Sequence, residues 1–187
     1  PESTEEISWI VKQCNKFKIP FVPRGAGTGL SGGAVISDGL IIQLSRLNKI
    51  LEIDIPNKCA IVQPGVVNAH LSQEVNAFGL HFAPDPSSQI ASTIGGNVAE
   101  NAGGPHTLKH GVTVNHVLGQ KVVLPNGEII DIGGKYRYSS DIDLNSLFTG
   151  SEGTLGIASE IIVNLSWFLF RFGLKVHGKM NLFVILT

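Results

Sequence analysis

The residues best suited to chemistry are the small ones of Pro23-Arg24-Gly25-Ala26-Gly27-Thr28-Gly29-Leu30-Ser31-Gly32-Gly33. Five of the eleven are glycine and one is alanine, so the backbone can take positive φ and approach a ligand closely. Successive bare amide N–H groups in such a loop form a concave anion site of the kind that holds a pyrophosphate. Gly27 through Gly32 also satisfies G-x-G-x-x-G, a fingerprint that has mechanical meaning only between a strand and a helix. The strand is present as Ile19 to Val22. The helix is not. Residues 34–39 lack a 3.6-residue period and carry turn residues before the apolar run Leu40 to Leu44. No Gly-Lys-Ser or Gly-Lys-Thr follows, which excludes a P-loop ATPase. The loop reads as a strand–loop–strand phosphate cradle, and the flanking strands oppose the alternative of a flexible linker.

Two further clusters carry the same chemistry. In residues 84–104, Pro84 and Pro86 stiffen the entry and Ser87, Ser88, Ser92 and Thr93 supply hydroxyls. Gly95-Gly96-Asn97 is expected to open a short helix to Ala102 with its amides toward a phosphate, and Gly103-Gly104 to cap it. The third cluster is Gly150-Ser151-Glu152-Gly153-Thr154-Leu155-Gly156-Ile157, directly before a strand. Each cluster alone is a weak signal. Three of them, each beside regular structure, suit a large extended ligand touched at several points.

The elements that must position these loops are short. Ser3 and Glu6 form a capping-box pattern, and Ile7, Ile10, Val11, Cys14 and Phe17 then make one apolar helical face. Strands are predicted at 19–22, 40–44 and 58–63, with a helix from Asn68 to Phe78 turning Leu71, Val75 and Phe78 inward. Residues 121–124 and 128–131 flank Pro125-Asn126-Gly127 as a hairpin, and a last strand covers 156–165. Short helices interleaved with many strands indicate an α+β domain.

Composition excludes several classes. The 187 residues are enough for one domain with a core, and 43% hydrophobic against 16% charged is globular. A net charge of −1 gives no case for a nucleic-acid partner. Cys14 and Cys59 lie in apolar-periodic segments, which fits buried thiols in a reducing, cytoplasmic setting. The opening residues are acidic and polar and do not form a signal peptide. From Ile161 onward there is no acidic residue, yet five of the thirteen aromatics fall there. Arg171, Lys175, His177 and Lys179 keep that run too short for a membrane span.

Some single residues admit two readings. Arg24 offsets pyrophosphate charge or pairs with Asp38 or Asp85. Glu152 bonds a polar ligand edge or is solvated, and Asn97 and Asn101 make ligand contacts or cap locally. His106 and His110 are four apart, but no third ligand accompanies them, so no metal site is expected.

Taken in order, Arg24 to Gly33, Pro84-Asp85-Pro86-Ser87-Ser88, Ile94-Gly95-Gly96-Asn97 to Gly104, and Gly150-Ser151-Glu152-Gly153 resemble the FAD-binding domain of the FAD-linked oxidases of the PCMH/vanillyl-alcohol-oxidase type. Within that family the similarity is to glycolate oxidase FAD subunits and D-lactate dehydrogenases. The resemblance covers residues 1–163 and implies an α+β fold of two α+β subdomains with FAD between them. It further implies that Pro23, Arg24, Gly25, Ala26, Gly27, Thr28, Gly29, Ser31 and Gly32 cradle the pyrophosphate. Pro84, Asp85, Thr93, Gly95, Gly96, Asn97, Asn101, Gly103, Gly104, Glu152, Gly153, Gly156 and Ile157 would flank the rest of the cofactor. Covalent members carry a His in or near the first glycine loop; none lies between residues 1 and 69 here, so non-covalent FAD is expected.

The implied activity is hydride transfer from a 2-hydroxy acid, glycolate or D-lactate, to FAD, with the catalytic residues in a missing C-terminal substrate domain. Partners would include other subunits of a glycolate oxidase complex, through which the protein associates with a membrane. Residues 164–187 resemble nothing in the family and are expected to be an atypical tail, and the family's first strands are expected before Pro1. The domain thus reads as truncated at both ends. The alternative is a non-catalytic FAD-binding fragment.

Overall fold

Ser3 opens the first helix, α1 (Thr4–Phe17), by accepting a bond from the Glu6 N–H at 3.1 Å. Glu6 reaches back as in a capping box, although to the Glu2 N–H. Ile7, Val11 and Cys14 are buried along one stripe, whereas Phe17, contrary to expectation, is exposed in the last turn with Lys16 Nζ over its ring. Lys18 ends the helix in the left-handed conformation at φ 55°. The computed structural model describes residues 1–136, 142–167, 172–176 and 180–184.

Beyond α1 the chain forms β1 (Phe21–Arg24) and β2 (Leu40–Gln43), paired in parallel with Phe21 opposite Leu40. The first strand starts two residues later than expected. Lys18 and Ile19 are used in closing the helix, the Ile19 N–H donating to Cys14 O. The connection, residues 25–39, carries no helix, as the strand–loop–strand reading requires.

The main sheet is built from β3 (Ile50–Asp54), β4 (Cys59–Val62), β6 (Val117–Val123), β7 (Ile129–Gly133) and β8 (Ile157–Asn164), in the order β3-β4-β8-β6-β7. All its pairings are antiparallel. β6 and β7 form the expected hairpin, in which Gly127 takes φ 84° and donates to Leu124 O. The first helix docks on that turn through Ser8 Oγ to Gly127 O at 2.5 Å and Asn15 Nδ2 to Pro125 O at 2.6 Å. Around the sheet lie α2 (Asn68–Asn76), α3 (Ile94–Glu100), α4 (Thr107–His110) and α5 (Leu144–Phe148). In α2, Leu71 and Val75 are buried as expected, but Phe78 lies beyond the helix end and is exposed.

The short strand β5 (Leu80–His81) pairs with β9 (Ser166–Trp167), and the Leu165 N–H donates to Lys58 O. Leu165 is fully packed in the core. Strands β10 (Phe172–Val176) and β11 (Met180–Val184) pair with each other in an antiparallel hairpin. Phe168, Phe170, Arg171, His177 and Lys179 of the aromatic tail lie outside the described residues. Among the described residues no helix is long and apolar enough to cross a membrane.

The described residues form two apolar cores. One joins Val66, Leu71, Leu80, Phe82, Ile94, Ile161 and Leu165. The other joins Ile7 and Val11 of α1, Ile42 of β2, Leu44, Leu47, Val123 and Ile157. Cys14 and Cys59 are buried free thiols, and burial pushes both pKa values up.

On the sheet's outer edge, Lys135 Nζ bridges Glu52 Oε1 at 2.5 Å and Asp54 Oδ2 at 3.0 Å. Bonds from Asn57 and Lys135 hold the Asp54 carboxyl down to about 2. A depressed carboxylate stabilises the fold above its unfolded value, near pH 4, and loses that contribution as pH falls through about 2. Thermal melts between pH 5 and 2 should therefore show acid destabilisation that is blunted in Lys135→Met.

Candidate functional site

The glycine loop rises as an arch between β1 and β2 and stands over α3. No backbone N–H from Gly25 to Ser31 donates to another group among the described residues. A run of unsatisfied amides facing solvent is what an anion cradle requires. The arch touches α3 at both ends. At the near end a Cβ on Gly25 would overlap Thr93 Oγ1. At the far end a Cβ on Gly29 would lie 2.9 Å from Glu100 Oε1, and Ser31 Oγ donates to Glu100 Oε2 at 2.6 Å. Gly27 takes φ 70° with the Arg24 guanidinium packed beneath it, a Cβ there lying 2.6 Å from Arg24 Nε. Arg24 is thus folded under the cradle, while Asp85 pairs with His106, Nδ1 to Oδ2 at 2.5 Å.

The helix α3 departs from expectation in an informative way. It begins at Ile94, with Thr93 as N-cap, so Gly95 and Gly96 lie inside its first turn instead of preceding it. Their amides are already used. Gly95 N–H donates to Pro64 O, Gly96 N–H to Thr93 Oγ1, and Asn97 N–H to Thr93 O. The helix end therefore offers no free donors to a phosphate, contrary to the sequence reading. The glycines serve close packing, since a Cβ on Gly95 would come within 2.5 Å of Pro64 Cβ. The helix ends at Asn101, left-handed at φ 50°, not at Gly103-Gly104. The Asn101 N–H caps the helix by donating to Asn97 O and Val98 O, while its Oδ1 accepts from the Val114 N–H at 2.9 Å, 13 residues on.

The third cluster closes the far side. Gly150 N–H donates to Val98 O and Glu152 N–H to Ala99 O, so this loop is stitched to α3. Glu152 takes φ 53°, and a Cβ on Gly33 would overlap its carboxylate. Pro23 packs against Gly153.

Between the arch, α3 and the ends of β6 and β8 lies an open cleft. Of the residues named from sequence, Pro23, Arg24, Gly25, Ala26, Gly27, Thr28, Gly29, Thr93, Gly95, Gly96, Asn97, Glu152, Gly153, Gly156 and Ile157 line it. Ser31, Gly32, Pro84, Asp85, Asn101, Gly103 and Gly104 do not. The Pro84–Asp85 and Gly103–Gly104 segments instead pack on each other, with a Cβ on Gly104 overlapping Asp85 O. Gly104→Ala should consequently destabilise the fold by about 1–3 kcal/mol through overpacking against backbone, read as a lower urea midpoint.

Sequence reasoning missed Pro64, Glu100, Gln120, Phe148 and Ser151 as lining residues. Glu100 lay inside the quoted glycine–asparagine segment, and its spacing of seven from Thr93 places both on one helix face. Gln120, buried at 3% exposure within an apolar strand, had no motif to announce it. The side-chain amide nitrogen of Asn97, 2% exposed, has no hydrogen-bond partner among the described residues. A buried orphan donor at the cleft wall, with an arch of free amides opposite, fits a ligand that supplies acceptor oxygens. A dinucleotide with a pyrophosphate meets that demand.

The His106 and His110 rings are 6.4 Å apart, His106 sits at the N-terminal boundary of α4, and burial lowers the His110 pKa. Among the described residues no three of His, Cys, Asp and Glu are placed to hold a metal ion.

Comparison with known proteins identifies a family and relatives. The sequence profile of the family described as FAD binding domain matches residues 1–133. The glycolate oxidase subunit GlcD of Bacillus subtilis is 50% identical over 167 residues, covering 88% of this chain and 36% of that protein. GlcD of Escherichia coli K12 is 48% identical over 166 residues, covering 88% and 33%. A D-lactate dehydrogenase of Anaerostipes hadrus is 47% identical over 165 residues, covering 87% and 34%. Among solved structures, an alkyldihydroxyacetonephosphate synthase superposes with a TM-score of 0.77 at 27% identity, covering 90% of this chain and 33% of that one. The chain thus spans about a third of the length of the relatives it matches.

Proposed function

Because the chain belongs to the FAD binding domain family, we propose that its cleft holds FAD non-covalently and that it forms the cofactor-binding part of a flavin-dependent 2-hydroxy-acid dehydrogenase or oxidase. The observation that carries this reading is the arch of free amides from Gly25 to Ser31 over a cleft whose wall holds the unpartnered Asn97 amide. The arch amides would take the pyrophosphate, and Asn97 Nδ2 would donate to a cofactor oxygen. Glu152, an acceptor only, would meet a hydroxyl or N–H. Pro84, Asp85, Gly103 and Gly104 would act behind this lining by fixing one wall, and Asn101 by ending α3 with its backbone and tying it to Val114 with its side chain.

Non-covalent binding is supported by the side chains at hand. The described lining residues are glycine, alanine, aliphatic, hydroxyl, amide, carboxylate, one Arg and one Phe, with no His, Cys or Tyr to attach a flavin. Bound FAD supplies the hydride acceptor for a substrate C–H bond, and the protein supplies position and electrostatics. The relatives named as glycolate oxidase subunits and D-lactate dehydrogenase motivate glycolate or D-lactate as substrate, and the subunit names motivate partner chains. The substrate-binding half would belong to the rest of a protein of the relatives' length.

Two measurements test this reading. The purified chain, mixed with FAD, should quench flavin fluorescence with one-to-one stoichiometry. The corresponding full-length protein should bleach its flavin anaerobically with glycolate or D-lactate. A full-length protein that binds FAD yet stays oxidised with every 2-hydroxy acid would leave a flavin-binding module and remove the dehydrogenase. A chain that prefers NAD or ATP to FAD would overturn both.

A further inference from the structure

The far end of the arch raises a question of charge. A carboxylate beside an anion cradle opposes the charge it is meant to hold, yet Glu100 lines the cleft directly under Gly29. Its geometry shows what else it does. One carboxylate oxygen accepts the Ser31 hydroxyl at 2.6 Å across 69 residues of sequence, and the other lies where a Gly29 side chain would have to go. Between its two feet the arch makes no backbone bond to α3 among the described residues.

We propose that Glu100 is a positioning residue that latches the glycine arch over α3 through Ser31, holding the free amides in their receptive curvature before the cofactor arrives. This rests on the FAD reading above. Without the latch the arch must be ordered at the moment of binding, and that ordering reduces affinity. The acceptor oxygen matters and the charge does not. A neutral Gln at the position keeps one acceptor for Ser31 and removes the repulsion.

The test is FAD affinity of the full chain, by fluorescence quenching, in wild type, Ser31→Ala, Glu100→Ala, Glu100→Gln and the Ser31→Ala/Glu100→Ala double variant. Each alanine variant should weaken FAD binding about three- to tenfold, the span of one exposed hydrogen bond. The double variant should be no weaker than either single one, and Glu100→Gln should bind at least as well as wild type. Melting midpoints of the cofactor-free variants should match wild type, since both residues are exposed; parallel losses of midpoint and affinity would mean a merely structural role. Unchanged affinity in the alanine variants, additive losses, or a Gln variant as weak as the Ala variant would each overturn the latch. Wild type that binds no FAD would overturn the site reading itself, and the latch with it.

Discussion

Replacing Gly25 with alanine is expected to weaken FAD binding by about five- to 150-fold, the equivalent of about 1–3 kcal/mol of overpacking. The added methyl overlaps Thr93 Oγ1, with Thr93 Cβ and Gly96 N both 3.6 Å away. Thr93 Oγ1 is not free to retreat, because it caps α3 by accepting from Gly96 N–H at 3.3 Å. Either the arch lifts off the helix or the cap breaks. The prediction has an internal control. In Gly25→Ala/Thr93→Ala the overlapping oxygen is gone, so affinity should recover, while the lost cap costs about 1 kcal/mol of stability. A double variant as weak as the single one would show that the contact is not what sets the arch. Titration of FAD against all three variants, with a urea melt of each, separates the two effects.

The largest effect on stability is expected from Ile94→Ala. Ile94 is 0% exposed and packs in the larger core with Leu71, Leu80, Phe82 and Ile161. Truncating a buried isoleucine to alanine costs about 2–5 kcal/mol through lost transfer energy and the cavity left behind. At this chain length each kcal/mol lowers the melting midpoint by about 2–4 °C. The consequence reaches the site, because Ile94 fixes the first turn of the helix on which both feet of the arch rest. FAD at saturating concentration should restore part of the lost midpoint if the cleft still assembles. Calorimetry with and without FAD measures both quantities.

Much of this architecture was legible in the sequence because local chemistry dictated it. Ser3 and Glu6 marked the first helix, Pro125-Asn126-Gly127 marked the hairpin, and the turn residues after Gly33 excluded a helix there. Leu51-Glu52-Ile53-Asp54 alternates as a strand does, yet β3 is not among the strands predicted from sequence; it sits at a sheet edge with two of its five residues exposed. What sequence could not show is which polar groups satisfy one another. Gly95 and Gly96 look the same whether their amides face a ligand or donate to Pro64 and Thr93. Only the fold brings Pro64 there, from 31 residues upstream of Gly95. The same holds for Asp85, whose carboxylate meets His106 across a turn that the chain alone does not specify. The site's envelope was legible from its glycines, and its donor inventory was not.

The strand order of the main sheet has a consequence for synthesis. β8, the latest of its five strands to be made, lies at the centre between β4 and β6. A chain emerging from the ribosome therefore carries two separate hairpins, β3–β4 and β6–β7, in which β4 and β6 stay open edges until residues 157–164 arrive to join them. Open strand edges of this kind invite pairing with other nascent chains. Ile157, Ser159, Ile161 and Val163, buried on one face throughout, complete the core only when that strand arrives. A stalled or nicked chain ending before Ile157 would be a candidate for chaperone capture, however complete its glycine arch.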